Sequence, residues 1–557
     1  MASPQIPLDQ YLTDTAAALP DHTALIFGVR VGPLLLDRKI SYASLNAAVN
    51  RFAAGLQQMG VAKGDRVAIM LPNCPQFVIA AYAIWRIGAV VVCCNPLYMP
   101  REIEYLVNDS GATSFIVMSS LYERIKKIRP KTGLKRVIVT NIKEYFQTPL
   151  KLLFTLTKEK KEGHRVDFSG DADTFSFQKI LAEAPAEPRP VTVTPEDTST
   201  LIYTSGTTGR PKGARHIHRS QALNSEMLNL WARSRKGEDV MLAVMPFFHI
   251  YGLAIVLNTV IAGGLTAVLI PNPRDMDHVI MAIEKHRINY YLGVPAMFVG
   301  FNNHPRSKKT DFSSLRFAAS AAAPLAPEVQ DRFEEITAGK MVEAYGLTET
   351  ICAAMNPIDN TRHNSIGLPM PGTEMRIVDE NDGTIEQPPG TPGEIIVKGA
   401  QVMQGYWENP EATAKILRVG PDNTPGWFFS GDIGTMDEDG FFHIVDRKSD
   451  MIIAGGYNIY PAEVEAVLFE HPAVFEAAVF GVPHEVRGEN VKTSIVLKPG
   501  QTATADEITD FCKERMAAYK VPKIVEFREE LPKSLVGKVL RRMLREEEDT
   551  SGKNPPA

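Results

Sequence analysis

The sequence predicts a layered α/β protein: a large N-terminal domain of α/β subdomains with a β-rich subdomain, then a small α+β C-terminal domain. Three observations point there. Amphipathic helical stretches alternate with short Val/Ile-rich strands over the first 370 residues or so. The 557 residues, 44% of them hydrophobic, are enough to bury several cores and to split into more than one domain. A change of composition after Asp446 opens a compact unit of about 100 residues. The expected domains are therefore 1–446, 447–550, and a frayed tail at 551–557.

Taken in order, Leu45 to Met59 carries helical periodicity, Arg66 to Met70 reads as a strand, and Phe77 to Ile87 as a helix leading into a buried Val90-Val91-Val92 strand. Lys135 to Thr140, Thr198 to Tyr203 and Leu315 to Ser320 continue the strand series. Glu374 to Val378 and Gly393 to Gly399 read as antiparallel strands, bounded by the turns Asn381-Asp382-Gly383 and Pro388-Pro389-Gly390. The C-terminal unit begins with a strand at Met451 to Ile453 and ends near Glu548. Tyr145 to Arg165 looks amphipathic, with Phe146, Leu150, Leu152, Leu153 and Phe154 ahead of the charges Lys158 to Glu162. It reads as a helix packed on the large domain, with peripheral membrane contact or an acyl-chain entry surface as alternatives.

Several classes are excluded. A net charge of −5 argues against a nucleic-acid protein, which would show a basic face. Val240 to Pro273 lacks Asp, Glu, Lys and Arg and is long enough to span a bilayer, yet Pro246, Asn258, Thr259 and Gly263-Gly264 divide it. A strand, a buried helix and a second strand, Leu265 to Ile270, account for it better. The five cysteines, Cys74, Cys93, Cys94, Cys352 and Cys512, lack metal-ligand spacing and are expected to be reduced thiols in the cytoplasm. MASPQIPLDQ has no basic region followed by an apolar core, so no secretory signal is expected.

The most informative stretch is Tyr203 to Ala214, YTSGTTGRPKGA. Its glycines let backbone N–H groups turn toward phosphate oxygens, the hydroxyls of Thr204, Ser205, Thr207 and Thr208 add donors, and Lys212 adds charge. A polyphosphate site follows, in preference to a polar surface turn. No Gly-Lys-Ser/Thr closes the loop, so it is not a Walker A sequence.

This loop resembles the phosphate-binding signature of the acyl-adenylate-forming superfamily, and further signatures follow in that family's order. They are PFFHIYG at Pro246 to Gly252, YGLTET at Tyr345 to Thr350, SGDIG at Ser430 to Gly434 with Asp446-Arg447, and PKSLVGKVLRR at Pro532 to Arg542. The resemblance spans roughly Leu8 to Arg545 and is strongest to the bacterial long-chain fatty acid:CoA ligases. It implies ATP, Mg2+ and the co-substrate CoA.

It also implies roles. Ser205, Gly206, Thr207, Thr208, Gly209 and Lys212 would cradle phosphates, while Glu349 and Thr204 would face magnesium, which needs few protein ligands. Tyr345 would stack on adenine beside Gly346, and Thr348 would approach the AMP phosphate. Asp432 would accept hydrogen bonds from the ribose hydroxyls, with Arg447 touching ribose or phosphate. Lys538 would sit by the attacking carboxylate and α-phosphate, and His249 would gate or orient the carboxylate pocket. Structural alternatives stand beside each role: a core tyrosine or histidine, capping carboxylates, a solvated lysine. Ser320 to Pro324, including Ala322 and Ala323, and Tyr290 to Met297 would line the nucleotide and acyl tunnel, where packing alone is a competing account. Ser449 would be the hinge of a mobile small domain, in place of the usual Asp or Lys, and Gly455-Gly456-Tyr457 would approach the pantetheine channel. Ala321 stands where relatives often carry glycine.

The expected activity is ATP-dependent conversion of a fatty acid, long-chain by expectation, to acyl-AMP and then acyl-CoA. Medium-chain or aryl-acid CoA ligation, and acyl transfer to carrier-protein pantetheine, are the alternatives. Outside the enzymes, a noncatalytic acyl or nucleotide sensor or a membrane-associated uptake component would be recognised by failure to make AMP. The expected location is cytoplasmic, with peripheral association at the inner membrane face open, as is the choice between monomer and homodimer.

Overall fold

The computed structural model describes residues 6–204, 210–448, 450–454, 457–484, 487–533 and 539–551. The chain forms two compact units: 1–363 with 369–374 and 398–417, and 364–368 with 375–397 and 418–557. The β-rich segment thus groups with the C-terminal residues.

The first unit carries two large sheets. In one, the strands run in the order Thr174–Ser176, Arg136–Thr140, Ser114–Met118, Arg66–Met70, Val90–Cys93, Thr198–Thr204, Lys212–Ile217. All neighbours are parallel except the last pair. Parallel strands covered on both faces should read as continuous apolar runs. They do: Val90–Cys93 is buried throughout, as is the helix before it, Pro75–Arg86, except at Arg86. The second sheet orders Lys340–Tyr345, Phe317–Ser320, Tyr290–Gly293, Val240–Ala243, Thr266–Leu269, Thr23–Val31 and Leu34–Ser41, parallel up to the closing antiparallel hairpin.

The charge-free stretch folds as expected into a strand, a buried helix and a strand, Val240–Ala243 to Thr266–Leu269. The helix differs in kind, however: Tyr251–Asn258 is a π-helix that passes into α-helix at Thr259–Gly263. Every residue of the π turn is buried. Its polar groups are paired internally, Asn258 exchanging hydrogen bonds with Tyr82 and Gln221. Among the described residues no helix is long and apolar enough to cross a membrane.

The second unit has two sheets of its own. Trp427–Met436 pairs antiparallel with Gly393–Lys398 and with Phe442–Arg447 around buried Val378, Ile396, Trp427 and Phe429. The other sheet joins Ile452–Ala454, Val474–His484, Gly488–Leu497 and Ile524–Phe527, backed by Pro461–Phe469 and Ala505–Lys513 over an apolar core that includes Val464, Val479 and Ile495. That is the small α+β arrangement expected from Met451 onward. Arg541–Ser551 is the last helix among the described residues.

Candidate active site

In the first unit, the functional side chains gather where strands end. Thr198–Thr204 and Lys212–Ile217 are antiparallel partners, and the register sets Thr204 opposite Lys212. Both anion-binding candidates thus stand at the mouth of one hairpin. Ser205, Gly206, Thr207, Thr208 and Gly209 lie outside the described residues. Gly213 has a packing reason to lack a side chain, since a Cβ there would come within 3.1 Å of the Tyr203 ring.

The segment 404–407 is laid along Lys212–Ile217 by the hydrogen bonds Gln404 N to Arg215 O, Arg215 N to Gly405 O and Trp407 N to Gly213 O. This places the Tyr406 ring 5.2 Å from Lys212 Nζ. Its phenol donates to Glu349 Oε1 at 2.7 Å. Burial, and then the Glu349 carboxylate, drive the Tyr406 phenol far above its ordinary range, so it stays a donor. Tyr406 was missed by sequence reasoning, because a lone aromatic in a Gly-Tyr-Trp loop carries no periodic signal.

Tyr345 ends strand Lys340–Tyr345, buried, and the chain then doubles back: Ile351 N bonds to Leu347 O and Ala353 N to Tyr345 O. The turn is tight enough that a Cβ on Gly346 would lie 1.7 Å from the Ile351 carbonyl oxygen. Ile351 itself has φ +55°, an uncommon left-handed conformation for a β-branched residue. The Thr348 carbonyl meets His216 Nε2 at 2.8 Å, so the neutral imidazole carries its proton on Nε2. His216 is a second residue missed from the sequence. It fixes the backbone from which Thr348 and Glu349 project.

Across the neighbouring strand, Ser320 is in register with Glu343. Both are buried, and Glu343 Oε1 and Ser320 Oγ have no hydrogen-bond partner among the described residues. Burial pushes the Glu343 carboxyl up to about 7, against a hydrogen bond from Leu325 N that lowers it. Ala322, just past Ser320, has φ +71°, a strained conformation for a residue with a Cβ and one typical of functional sites. Ala322 is exposed and Ala323 half-buried, so this edge can meet a ligand. Tyr290 instead turns its phenol to Asp239 in the core.

His249 precedes the π turn. Its Nδ1 accepts the Tyr251 N–H at 3.2 Å, leaving the proton of the neutral ring on Nε2. Loss of hydration pushes its pKa down to about 4, as it does for His216, while His218 falls to about 3. Each base is lowered in the folded chain, so each contributes stability that is complete above its unfolded value near 6.5 and is lost as pH falls toward the folded one. These three histidines are expected to cost the fold about 1.4 kcal/mol each per pH unit over roughly pH 6.5 to 4. Denaturant titration across that range checks it, and a flat profile in which wild type and His216→Gln coincide would refute it.

The second unit holds Asp432 and Arg447, which are cross-strand partners with Arg447 Nε 3.1 Å from Asp432 Oδ1. Asp432 is buried and Arg447 half-buried. Ser449, Gly455, Gly456 and Lys538 lie outside the described residues, as does the side chain of Tyr457. Lys533 and Val539, which flank Lys538, pair in an antiparallel bridge.

The donor sets suit the implied groups. Glu349 offers one carboxylate and Thr204 one hydroxyl. A magnesium ion that keeps most of its water and binds chiefly to phosphate needs no more from the protein. Lys212 supplies a charge matched to polyphosphate. Of the cysteines, all five are buried, and burial raises the Cys74 and Cys352 thiols to about 12, so they are poor nucleophiles.

Comparison with known proteins agrees with this geometry. Residues 12–407 match the AMP-binding enzyme family, and 463–538 match the AMP-binding enzyme C-terminal domain. The chain belongs to the AMP-binding enzyme family. It is 41% identical over 550 residues to a long-chain-fatty-acid--CoA ligase of Bacillus subtilis, covering 98% of this chain and 95% of the relative. An Escherichia coli protein of the same name is 40% identical, covering 93% and 91%. Among solved structures, ATP-bound MatB from Rhodopseudomonas palustris matches with TM-score 0.85 at 29% identity, covering 98% of this chain and all of that one.

Proposed function

We propose that this protein is an acid–thiol ligase that joins a long-chain fatty acid to CoA at the expense of ATP, by way of an acyl-AMP intermediate. The observation that carries the reading is the cluster of Lys212, Tyr406 and Glu349 at the strand ends, in a chain whose curated ligase relatives match it over nearly its full length. A free carboxylate acylates poorly because its leaving group would be oxide. Conversion to a mixed anhydride with AMP supplies a good leaving group and expels pyrophosphate.

Two anions must meet for that step, so positioning and fixed positive charge do most of the catalysis. Thr204, the 205–209 loop and Lys212 hold the phosphates, with Tyr345, Gly346, Ala322 and Ala323 around the adenine. Glu349 and Thr204 hold Mg2+, which when bound neutralises charge on the phosphate oxygens. Asp432 and Arg447 serve the ribose, His249 orients the carboxylate pocket, and Lys538 stands by the reacting carboxylate. Residues 447–550 act as the small domain that brings Lys538 in and later withdraws it about Ser449, Gly456 then allowing the pantetheine thiol close approach. The enzyme works in the cytoplasm, at the inner face of the membrane where a long-chain acid dissolves.

The test measures AMP and acyl-CoA made by purified protein with ATP, Mg2+ and CoA, across straight-chain acids from acetate to oleate plus benzoate and coumarate. Equal yields of both products with a maximum at long chains are expected. A maximum at short or aromatic acids would overturn the substrate, and no AMP with any acid would overturn the activity.

A further inference from the structure

The loop that carries Tyr406 is bonded along its length. Met403 N donates to the Glu349 carbonyl at 2.8 Å, Trp407 N to the Gly213 carbonyl at 2.7 Å, and Tyr406 N to Thr413 Oγ1 at 2.9 Å. Thr413 lies on the helix Pro410–Ile416, whose first turn is capped by the Asn409 side chain. The backbone of Tyr406 is therefore fixed between that helix and the strand Lys212–Ile217, although the side chain itself is only half-buried. From there one neutral side chain touches two charged groups of opposite sign: its ring lies 5.2 Å from Lys212 Nζ, and its phenol donates to Glu349 Oε1 at 2.7 Å.

Each of those charges needs what Tyr406 offers. The backbone around Lys212 is anchored from a second direction, the Tyr203 phenol donating to Asp109 Oδ2 at 2.6 Å and the Tyr105 phenol to the Pro211 carbonyl at 2.8 Å. An anchored backbone does not place a lysine ammonium, which ends a flexible four-carbon stem. An aromatic face within reach of the ammonium does. A carboxylate that is to receive a metal has the complementary need, because the hydrogen bonds of its outer neighbours are what orient it. With Tyr406 gone, the Lys212 ammonium and the Glu349 carboxylate would be free to close on each other, and every incoming nucleotide would have to break that pair.

We infer that Tyr406 is a positioning residue that holds Lys212 and Glu349 apart and aimed, its ring presenting the ammonium to the nucleotide phosphates and its phenol fixing the carboxylate that receives the metal. Two separable functions thus reside in one side chain: the ring serves phosphate binding, and the hydroxyl serves metal binding. The inference rests on the fatty acid:CoA ligase reading for what is bound, but its test reads binding and does not depend on turnover.

The experiment uses the full chain and α,β-methylene-ATP, which cannot release pyrophosphate. Calorimetry in EDTA gives the affinity for the analogue alone, and electron paramagnetic resonance of free Mn2+, standing in for Mg2+, gives the affinity for the metal once the analogue is bound. Tyr406→Phe keeps the ring and loses the hydroxyl, so metal affinity should fall about 10- to 100-fold while affinity for the metal-free analogue stays within about 2-fold of wild type. Tyr406→Leu loses both, and should weaken the metal-free analogue at least about 5-fold as well. In a Glu349→Gln background, adding Tyr406→Phe should change metal affinity by less than about 2-fold, since the group it positions is already altered. Unchanged metal affinity in Tyr406→Phe would overturn the role, as would a loss there matched by an equal loss of metal-free binding, or a full-sized effect in the Glu349→Gln background. The expected losses together with no AMP from any acid would remove the ligase reading and leave the positioning role standing. Failure of the wild-type chain to bind the analogue would overturn both.

Discussion

Lys538→Ala is expected to slow acyl-AMP formation by about 100- to 1,000-fold, the range for removing one preorganised donor from a site of developing charge. Thioester formation from supplied acyl-AMP should be nearly unchanged. The asymmetry follows from the charges. In the first half-reaction a carboxylate attacks a polyphosphate, where a cation between them would offset repulsion that water cannot, whereas in the proposed second step a thiol displaces AMP with that lysine withdrawn. Lys538→Arg should recover only part of the loss, because a planar guanidinium is larger than an ammonium and directs its hydrogen bonds differently. Rapid-quench measurement of each half-reaction separates the two steps. Equal loss in both would sink the assignment.

Arg541→Met should cost the second unit about 3–5 kcal/mol, the penalty for leaving buried carboxylates without their cation. Arg541 opens the helix Arg541–Ser551 and is largely buried. Its guanidinium holds Glu465 in a fork, Nη2 to Oε2 at 2.6 Å and Nε to Oε1 at 3.2 Å, and reaches Asp450 Oδ2 at 3.1 Å. Nearby, Asp446 accepts the Ala462 N–H at 2.6 Å. Loss of hydration outweighs these partners for both Glu465 and Asp446 and raises their carboxyls. Without Arg541 they would be costlier still to keep charged. The double variant Glu465→Met/Arg541→Met should regain part of the loss, as paired removal of buried ions often does. Chemical denaturation checks both. A single variant within about 0.5 kcal/mol of wild type would mean that water screens the cluster.

The sequence was most legible where one physical signal dominates. Arg66–Met70 and Glu374–Val378 are found at the limits their apolar runs imply, and Pro75–Arg86 begins two residues before the expected start, at a proline suited to the first helical turn. Thr204 and Lys212 were singled out from chemistry alone, and the strand register sets them opposite each other across the hairpin. Tyr406 and His216 were not, because each acts by meeting residues far along the chain, Glu349 and Thr348, and nothing local records that distance. Glu343 was hidden by its setting: a single acid in Met-Val-Glu-Ala-Tyr reads as an exposed strand position, whereas the strand is covered on both faces.

The π turn at Tyr251–Asn258 has a consequence for anyone re-engineering the buried segment that follows His249. A π turn holds one residue more than the α-helix that would otherwise fill the same length. Deleting a single residue from it would restore ordinary winding over the same length and leave the segments on either side close to their present alignment. His249 at one end and Thr259–Gly263 at the other would then keep their places while the side chains between them are redistributed around the axis. A library built by substitution alone samples side chains at fixed directions, while one-residue deletions change the directions those side chains take, a coordinate that no change of side chain reaches.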